Sequence, residues 1–137
     1  MMEHGERIKD EWLLEDRDKE TGVIDADLYM KLPEDMPTAF VCNSDVTASY
    51  FIPKLRQNGY RVPEDISVLG FDDAEIAQAA DLSTIRQEPI ELGRIAGRKV
   101  LQLLRNEPLE HPHELQDPLL VLRNTTSRID SGAAPAE

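Results

Sequence analysis

The run Val62-Pro63-Glu64-Asp65-Ile66-Ser67-Val68-Leu69-Gly70-Phe71-Asp72-Asp73 constrains the fold more than any other stretch of this chain. Pro63 fixes φ and suits a turn, after which Ile66, Val68 and Leu69 form a short apolar run of strand length. Gly70 frees the backbone to bend where the strand stops. The strand therefore opens on two adjacent carboxylates. In open α/β sheets, ligands collect at such carboxyl ends. The run implies a parallel α/β sheet with something to do at its rim.

The flanks are expected to supply the other layers. Thr38 to Asn43 reads as a second buried strand. Ser44 or Asp45 can cap a helix after it, because a side-chain oxygen satisfies the free amides of a first turn. That helix should end near Gly59, a good residue just past a helix end. Pro53 falls inside it and predicts a kink, since an interior proline costs roughly 3 kcal/mol. Residues 74–80 read as a short helix and 82–86 as a strand. The longest helix is expected from Pro89 or Ile90 to Asn106, with Leu92, Ile95, Ala96, Val100, Leu103 and Leu104 on or near one stripe. Residues 119–123 read as a last strand. Towards the N-terminus a short strand over 11–15 and a helix over about 23–31 are expected, and the tail 131–137 is expected to be disordered. Strands alternating with helices imply a parallel sheet flanked by helices.

Composition narrows the function. The 137 residues fit one ordinary domain. A net charge of −12 repels phosphate backbones, so direct nucleic-acid binding by this polypeptide is not expected. No apolar run reaches the roughly 18 residues of a membrane span. The stretch 1–7 lacks the apolar core of a signal peptide, and the single Cys42 suits a reducing cytoplasm. A Gly-rich phosphate loop, a nucleophile elbow and a zinc motif are all missing, so no enzyme, catalytic residue, metal or cofactor is expected. Asp72 and Asp73 have no accompanying base or nucleophile, and His111 and His113 alone fall short of a metal site.

Four motifs then meet in order. They are Pro37-Thr38-Ala39 through Asn43-Ser44-Asp45 with Ala48, the run over 62–73, Leu82-Ser83-Thr84-Ile85-Arg86-Gln87 with Gly93, and the closing stretch 119–127. Together they resemble the lactose/galactose-repressor (LacI/GalR) family over residues 11–127. The resemblance implies an incomplete periplasmic-binding-protein-like type I fold. This would be the C-terminal half of an effector-binding domain, with residues 11–83 and 115–127 in the C-terminal lobe. Residues 84–114 would be a crossover strand and helix that pack on the first lobe in relatives, and 1–10 and 128–137 would be flexible ends. No helix-turn-helix is present.

What the resemblance implies about sites follows residue by residue. Asp45 aligns with an aspartate that accepts hydrogen bonds from a sugar or purine effector in many relatives; a cap-only role is the alternative. Ser44 stands where the family has Asn, and Asn43 sits one position earlier, so both are candidate ligand contacts. Arg17 stands where an aromatic residue covers the ligand, and it suits a ring face or an anionic group. The helix after Asp45 would contribute to a homodimer interface, with Tyr50, Phe51 and Leu55 as candidates. The implied function is an effector-sensing module, sugar the expected effector, in a cytoplasmic regulator that reaches operator DNA through a separate head. A sugar-binding transport protein of the same fold is the alternative. With its first-lobe partner missing, the 90–106 helix is expected either to self-associate or to pack on its own sheet.

Overall fold

A computed structural model describes residues 8–25 and 27–128. Its centre is a four-stranded sheet in the order β1 (Ala39–Val41), β2 (Ser67–Asp72), β3 (Thr84–Arg86) and β4 (Leu119–Val121). The first three strands run parallel, as the sequence implies. The fourth is antiparallel to β3, with Thr84 opposite Val121, so the sheet is mixed. β2 is the hub: Ser67 to Leu69 pair with β1, and Gly70 to Asp72 pair with β3.

The strip of β2 left open beside β3 is filled from the far end of the chain. Val68 N–H donates to the Thr125 carbonyl at 2.7 Å, and the Thr125 hydroxyl donates to Val68 O at 2.8 Å. The same hydroxyl accepts from Ser83 N–H at 2.9 Å. Thr125 is buried, and every one of these contacts satisfies a group that would otherwise be orphaned.

Helix α1 (Asp45–Gln57) packs on β2, and the short α2 (Glu75–Ala79) packs on α1. Both ends of α1 are built by side chains the sequence displays. Ser44, in extended backbone, accepts from Thr47 N–H at 3.1 Å and is the N-cap. At the other end Gly59 N–H donates to Arg56 O and Tyr60 N–H to Leu55 O, both at 3.1 Å. Gly59 sits at φ +88°, so this is a Schellman closure that needs a residue without Cβ. α1 runs as one helix through Pro53. Its inner face, Ala48, Phe51, Ile52 and Leu55, meets Phe40, Cys42, Val62, Ile66 and Val68 in the core. Phe51 stands edge-on to Phe40, with ring centroids 4.8 Å apart.

Helix α3 (Pro89–Leu104) behaves differently, since none of its residues is buried. Packing of this helix on its own sheet, one of the two expected outcomes, does not occur.

Two N-terminal expectations are overturned. Residues 11–15 are no strand; Asp10–Trp12 forms a 3-10 turn, pinned where the Trp12 indole N–H donates to Asp35 O at 2.7 Å. Residues 23–31 form no helix. Asp25 turns its carboxylate onto the amides of Asp27 and Leu28, both at 3.0 Å, and holds a tight turn there. The ends 1–7 and 129–137, including the tail expected to be disordered, lie outside the described residues.

Candidate functional site: the carboxyl rim of β1

The chain leaves β1 at Cys42 and enters α1 at Asp45, so Asn43 and Ser44 sit at the sheet rim beside a helix N-terminus. The loop that begins at Asp16 comes up against them. Thr47 Oγ1 lies 2.7 Å from both Asp16 Oδ2 and Asn43 Oδ1, and its single proton serves one of them at a time. Asn43 Nδ2 donates to Asp16 Oδ2 at 3.2 Å. Arg17 then grips the same carboxylate in a fork, Nε to Oδ1 at 2.8 Å and Nη2 to Oδ2 at 2.7 Å. The guanidinium is the largest cause of a strongly depressed Asp16 pKa, with Thr47 and Asn43 adding to it against the opposing effect of burial.

The Arg17 loop has a scaffold of its own. Asp18 accepts from the amides of Glu20 and Thr21 and from the Tyr29 hydroxyl, at 2.7–2.8 Å. Those bonds, Thr21 N–H first, lower its pKa to about 2. Gly22 closes the turn at φ +71°, and Arg17 bridges to Ile24 in antiparallel fashion. Beside the rim lies an open cavity of about 220 Å³, with Trp12, Leu13, Phe40 and Val41 as apolar wall and Asp16, Asn43 and Thr47 as its polar groups. An apolar wall facing a few fixed polar groups is the usual make-up of a small-molecule site.

Asp45 takes another direction. It is 1% exposed, and its two oxygens accept from Ala74 N–H at 2.8 Å and from the Thr84 hydroxyl at 2.5 Å. The carboxylate ties the start of α1 to the segment after β2 and to the start of β3. In this conformation it offers no exposed oxygen to a ligand. It also explains Gly70: a Cβ there would overlap Asp45 Oδ1 and lie 2.9 Å from Leu82 Cδ2 and 3.3 Å from Thr84 Oγ1. The glycine read from sequence as a bend is a hole that the carboxylate fills.

The paired acids at the end of β2 are also committed. The Asp73 side chain is 2% exposed and accepts from Arg86 Nε and Arg123 Nη2, both at 2.6 Å. Arg123 is the first cause of its lowered pKa. Arg123 further donates to Leu82 O at 2.7 Å, and Gln87 donates to Asp72 at 2.7 Å. These bonds hold Asp72 and Asp73 at φ +112° and +58°, where a side chain is rarely tolerated. The clamp sits at the root of the excursion from β3 to β4. Among the described residues no group of His, Cys, Asp or Glu side chains is arranged to hold a metal ion.

Of the ligand candidates, Arg17, Asn43 and Ser44 therefore gather at one rim, with Asp45 beneath them. Asp16, Thr47 and Trp12 belong to the same site and carry no motif of their own. An acidic residue next to Arg17 at the start of a charged loop was the available signal for Asp16. The dimer candidates separate: Tyr50 is exposed, whereas Phe51 and Leu55 point into the core and are corrected to core residues, since the periodicity of α1 turns them to its buried face. Burial pushes the Cys42 thiol up to about 12.

A three-layer sequence of parallel strand, capped helix and ligand-sized rim defines a binding module rather than a catalytic centre. A model of the periplasmic binding protein-like domain matches residues 1–126. The HTH-type transcriptional repressor PurR of Vibrio parahaemolyticus is 32% identical over 126 residues, which is 90% of this chain and 37% of that protein. The arabinose metabolism transcriptional repressor of Geobacillus stearothermophilus is 37% identical over 99 residues, 70% of this chain and 27% of that protein. Among solved structures, the Lac repressor bound to ONPG in its repressed state superposes with a TM-score of 0.60 at 34% identity, covering 66% of this chain and 28% of that one. The chain belongs to the periplasmic binding protein-like domain family, in the form carried by LacI-type regulators. It spans well under half the length of the curated relatives it matches.

Proposed function

We propose that this chain is part of the effector-sensing module of a LacI-type transcriptional regulator, with the rim of β1 as its half of the effector site. One observation carries the reading: a polar cluster of Arg17, Asp16, Asn43 and Thr47 beside an apolar-walled cavity, at the strand end where α/β folds bind ligands. Arg17 and Asn43 are the direct contacts and Ser44 flanks them. Asp45 acts from below by fixing where α1 begins. A donor fork and an amide at the mouth suit a hydroxyl-rich effector, and a sugar is the proposed class. Effector binding shifts closure of the module by its differential affinity for two states, and so alters operator binding by a head outside this chain. The exposed flank of α1 at Tyr50 is the proposed homodimer contact in a cytoplasmic protein. Among the described residues no helix is long and apolar enough to cross a membrane.

The test uses the full-length regulator with a panel of pentoses, hexoses and purine bases. Thermal-shift and operator-anisotropy measurements should single out a sugar that both raises Tm and changes operator affinity. Arg17→Ala and Asn43→Ala should each weaken that ligand at least about tenfold, the order of one lost charged or neutral bond. A sugar whose affinity ignores both substitutions removes the site assignment. A protein that binds sugar but no operator sequence favours the transport reading.

A further inference from the structure

Helix α3 is assembled inside out with respect to its own chain. Glu91, Ile95, Lys99 and Gln102 are its half-buried residues, and Lys99 reaches Glu114 at 3.1 Å. The opposite half presents Ile90, Leu92, Val100, Leu101, Leu103 and Leu104 to solvent, with Ile90 and Leu104 each 74% exposed. Along the middle of that face run Ile90, Gly93, Gly97, Val100 and Leu104, spaced three, four, three and four residues apart. That is the seam spacing of paired helices. A Cβ at Gly93 or Gly97 would meet nothing within 4 Å, so both are open recesses. The seam is thus hollow in its N-terminal half and bulky in its C-terminal half.

We propose that this face of α3 binds a second copy of this chain, with the two helices antiparallel about a two-fold axis. Antiparallel pairing sets hollow against bulk. Leu104 of the second copy enters the recess at Gly93 and Val100 enters that at Gly97, each contact occurring twice, as an isologous interface requires. Parallel pairing would oppose glycine to glycine and leucine to leucine, leaving a wedge-shaped gap. Charge follows the same order. Glu91 lies at one end of the seam's polar flank and Arg105 at the other, and an antiparallel copy brings them together at both ends. Arg98 falls nearest the axis and stays beside Glu91 of its own helix, at 3.6 Å. Six partly exposed aliphatic side chains at roughly 60–120 Å² each when fully exposed come to about 200–400 Å² of apolar surface per copy. A standard interface buries about 800 Å² per partner, so the dimer belongs to the weak, concentration-dependent class.

The test takes the 137-residue chain in sedimentation equilibrium from a few micromolar to several hundred micromolar. A monomer–dimer equilibrium is expected, with a dissociation constant on the order of tens of micromolar. Gly97→Leu fills a recess while raising helix propensity, so it should weaken the dimer about tenfold or more with the far-ultraviolet spectrum unchanged. Mixed Gly93→Cys and Leu104→Cys chains should cross-link to each other on mild oxidation, in excess over either chain with itself. A monomer at every concentration overturns the proposal. So do self-links at Leu104→Cys that exceed the mixed link, or a dimer indifferent to Gly97→Leu.

Discussion

Replacing Gly70 by alanine tests the central packing of this fold with a single methyl group. Gly70 lies inside β2, and its φ is ordinary for any residue. At such a position Gly→Ala usually stabilises, by about 0.4–1 kcal/mol, because the unfolded chain loses freedom. Here the added carbon overlaps the Asp45 carboxylate and crowds Leu82 and Thr84, all three of which are buried. Overpacking of a tight core costs roughly 1–3 kcal/mol. A displaced carboxylate also loses the Thr84 hydroxyl, and a hydrogen bond to a charged group is worth about 1.5–3 kcal/mol. Gly70→Ala should therefore destabilise by about 2–5 kcal/mol, a large share of the 5–15 kcal/mol typical of a domain. Urea unfolding followed by Trp12 fluorescence and circular dichroism gives the midpoints. Asp45→Ala supplies the control: in that background Gly70→Ala should cost at least 1 kcal/mol less, since neighbours that share a clash are not additive. A neutral or stabilising Gly70→Ala, or costs that simply add, would refute the account of Asp45 as the occupant of the glycine hole.

Further outcomes follow from the same contacts. Asp73→Ala leaves Arg123 with an unpaired buried charge, so a loss of about 3–5 kcal/mol in urea unfolding is expected. The Asp73 pKa is lowered on folding, so its contribution is complete above the unfolded value near 4 and disappears as pH falls through the folded value. The stability gap between wild type and Asp73→Asn should accordingly be constant from pH 7 to 5 and narrow below about 4; a gap that widens in acid contradicts the ion pairing. Ser44→Ala removes the N-cap of α1 and should cost about 1 kcal/mol, whereas Ser44→Asn should cost little, as midpoint shifts will show. The Cys42 thiol, pushed up to about 12, should resist a disulfide reagent at pH 8 in the native protein and react at once in urea. Rapid labelling without denaturant would place Cys42 outside the core.

The parts legible in the sequence are those written in local chemistry. The strand over 66–72, the capped and glycine-terminated α1 and the proline-started α3 each carry their own signals, and the structure contains all three. The N-terminal stretch was misread because Asp18 and Asp25 direct their carboxylates onto nearby amides, and such bonds compete with helix and strand. The antiparallel course of β4 was not legible either. A long excursion separates β3 from β4, and apolar periodicity carries no direction. At the site, Asn43, Ser44 and Asp45 were visible as a strand-to-helix junction. The inward turn of Asp45 was not, since it depends on Gly70 and Thr84, remote along the chain.

The stitch made by Thr125 has a temporal side. Residues 123–127 bond to Pro63, Ser67, Val68, Asp81, Leu82 and Ser83, all at least 40 positions earlier. Closing such distant pairs has an entropic cost that must be met before the contacts stabilise anything, and this slows folding. During synthesis β1, β2 and β3 can associate early, while Val68 and Ser83 keep unsatisfied backbone groups until residue 125 has left the ribosome. For that interval the open side of β2 is a strand edge able to pair with other chains. The last few ordered residues thus set when this protein stops being at risk of aggregation, as well as how stable it becomes.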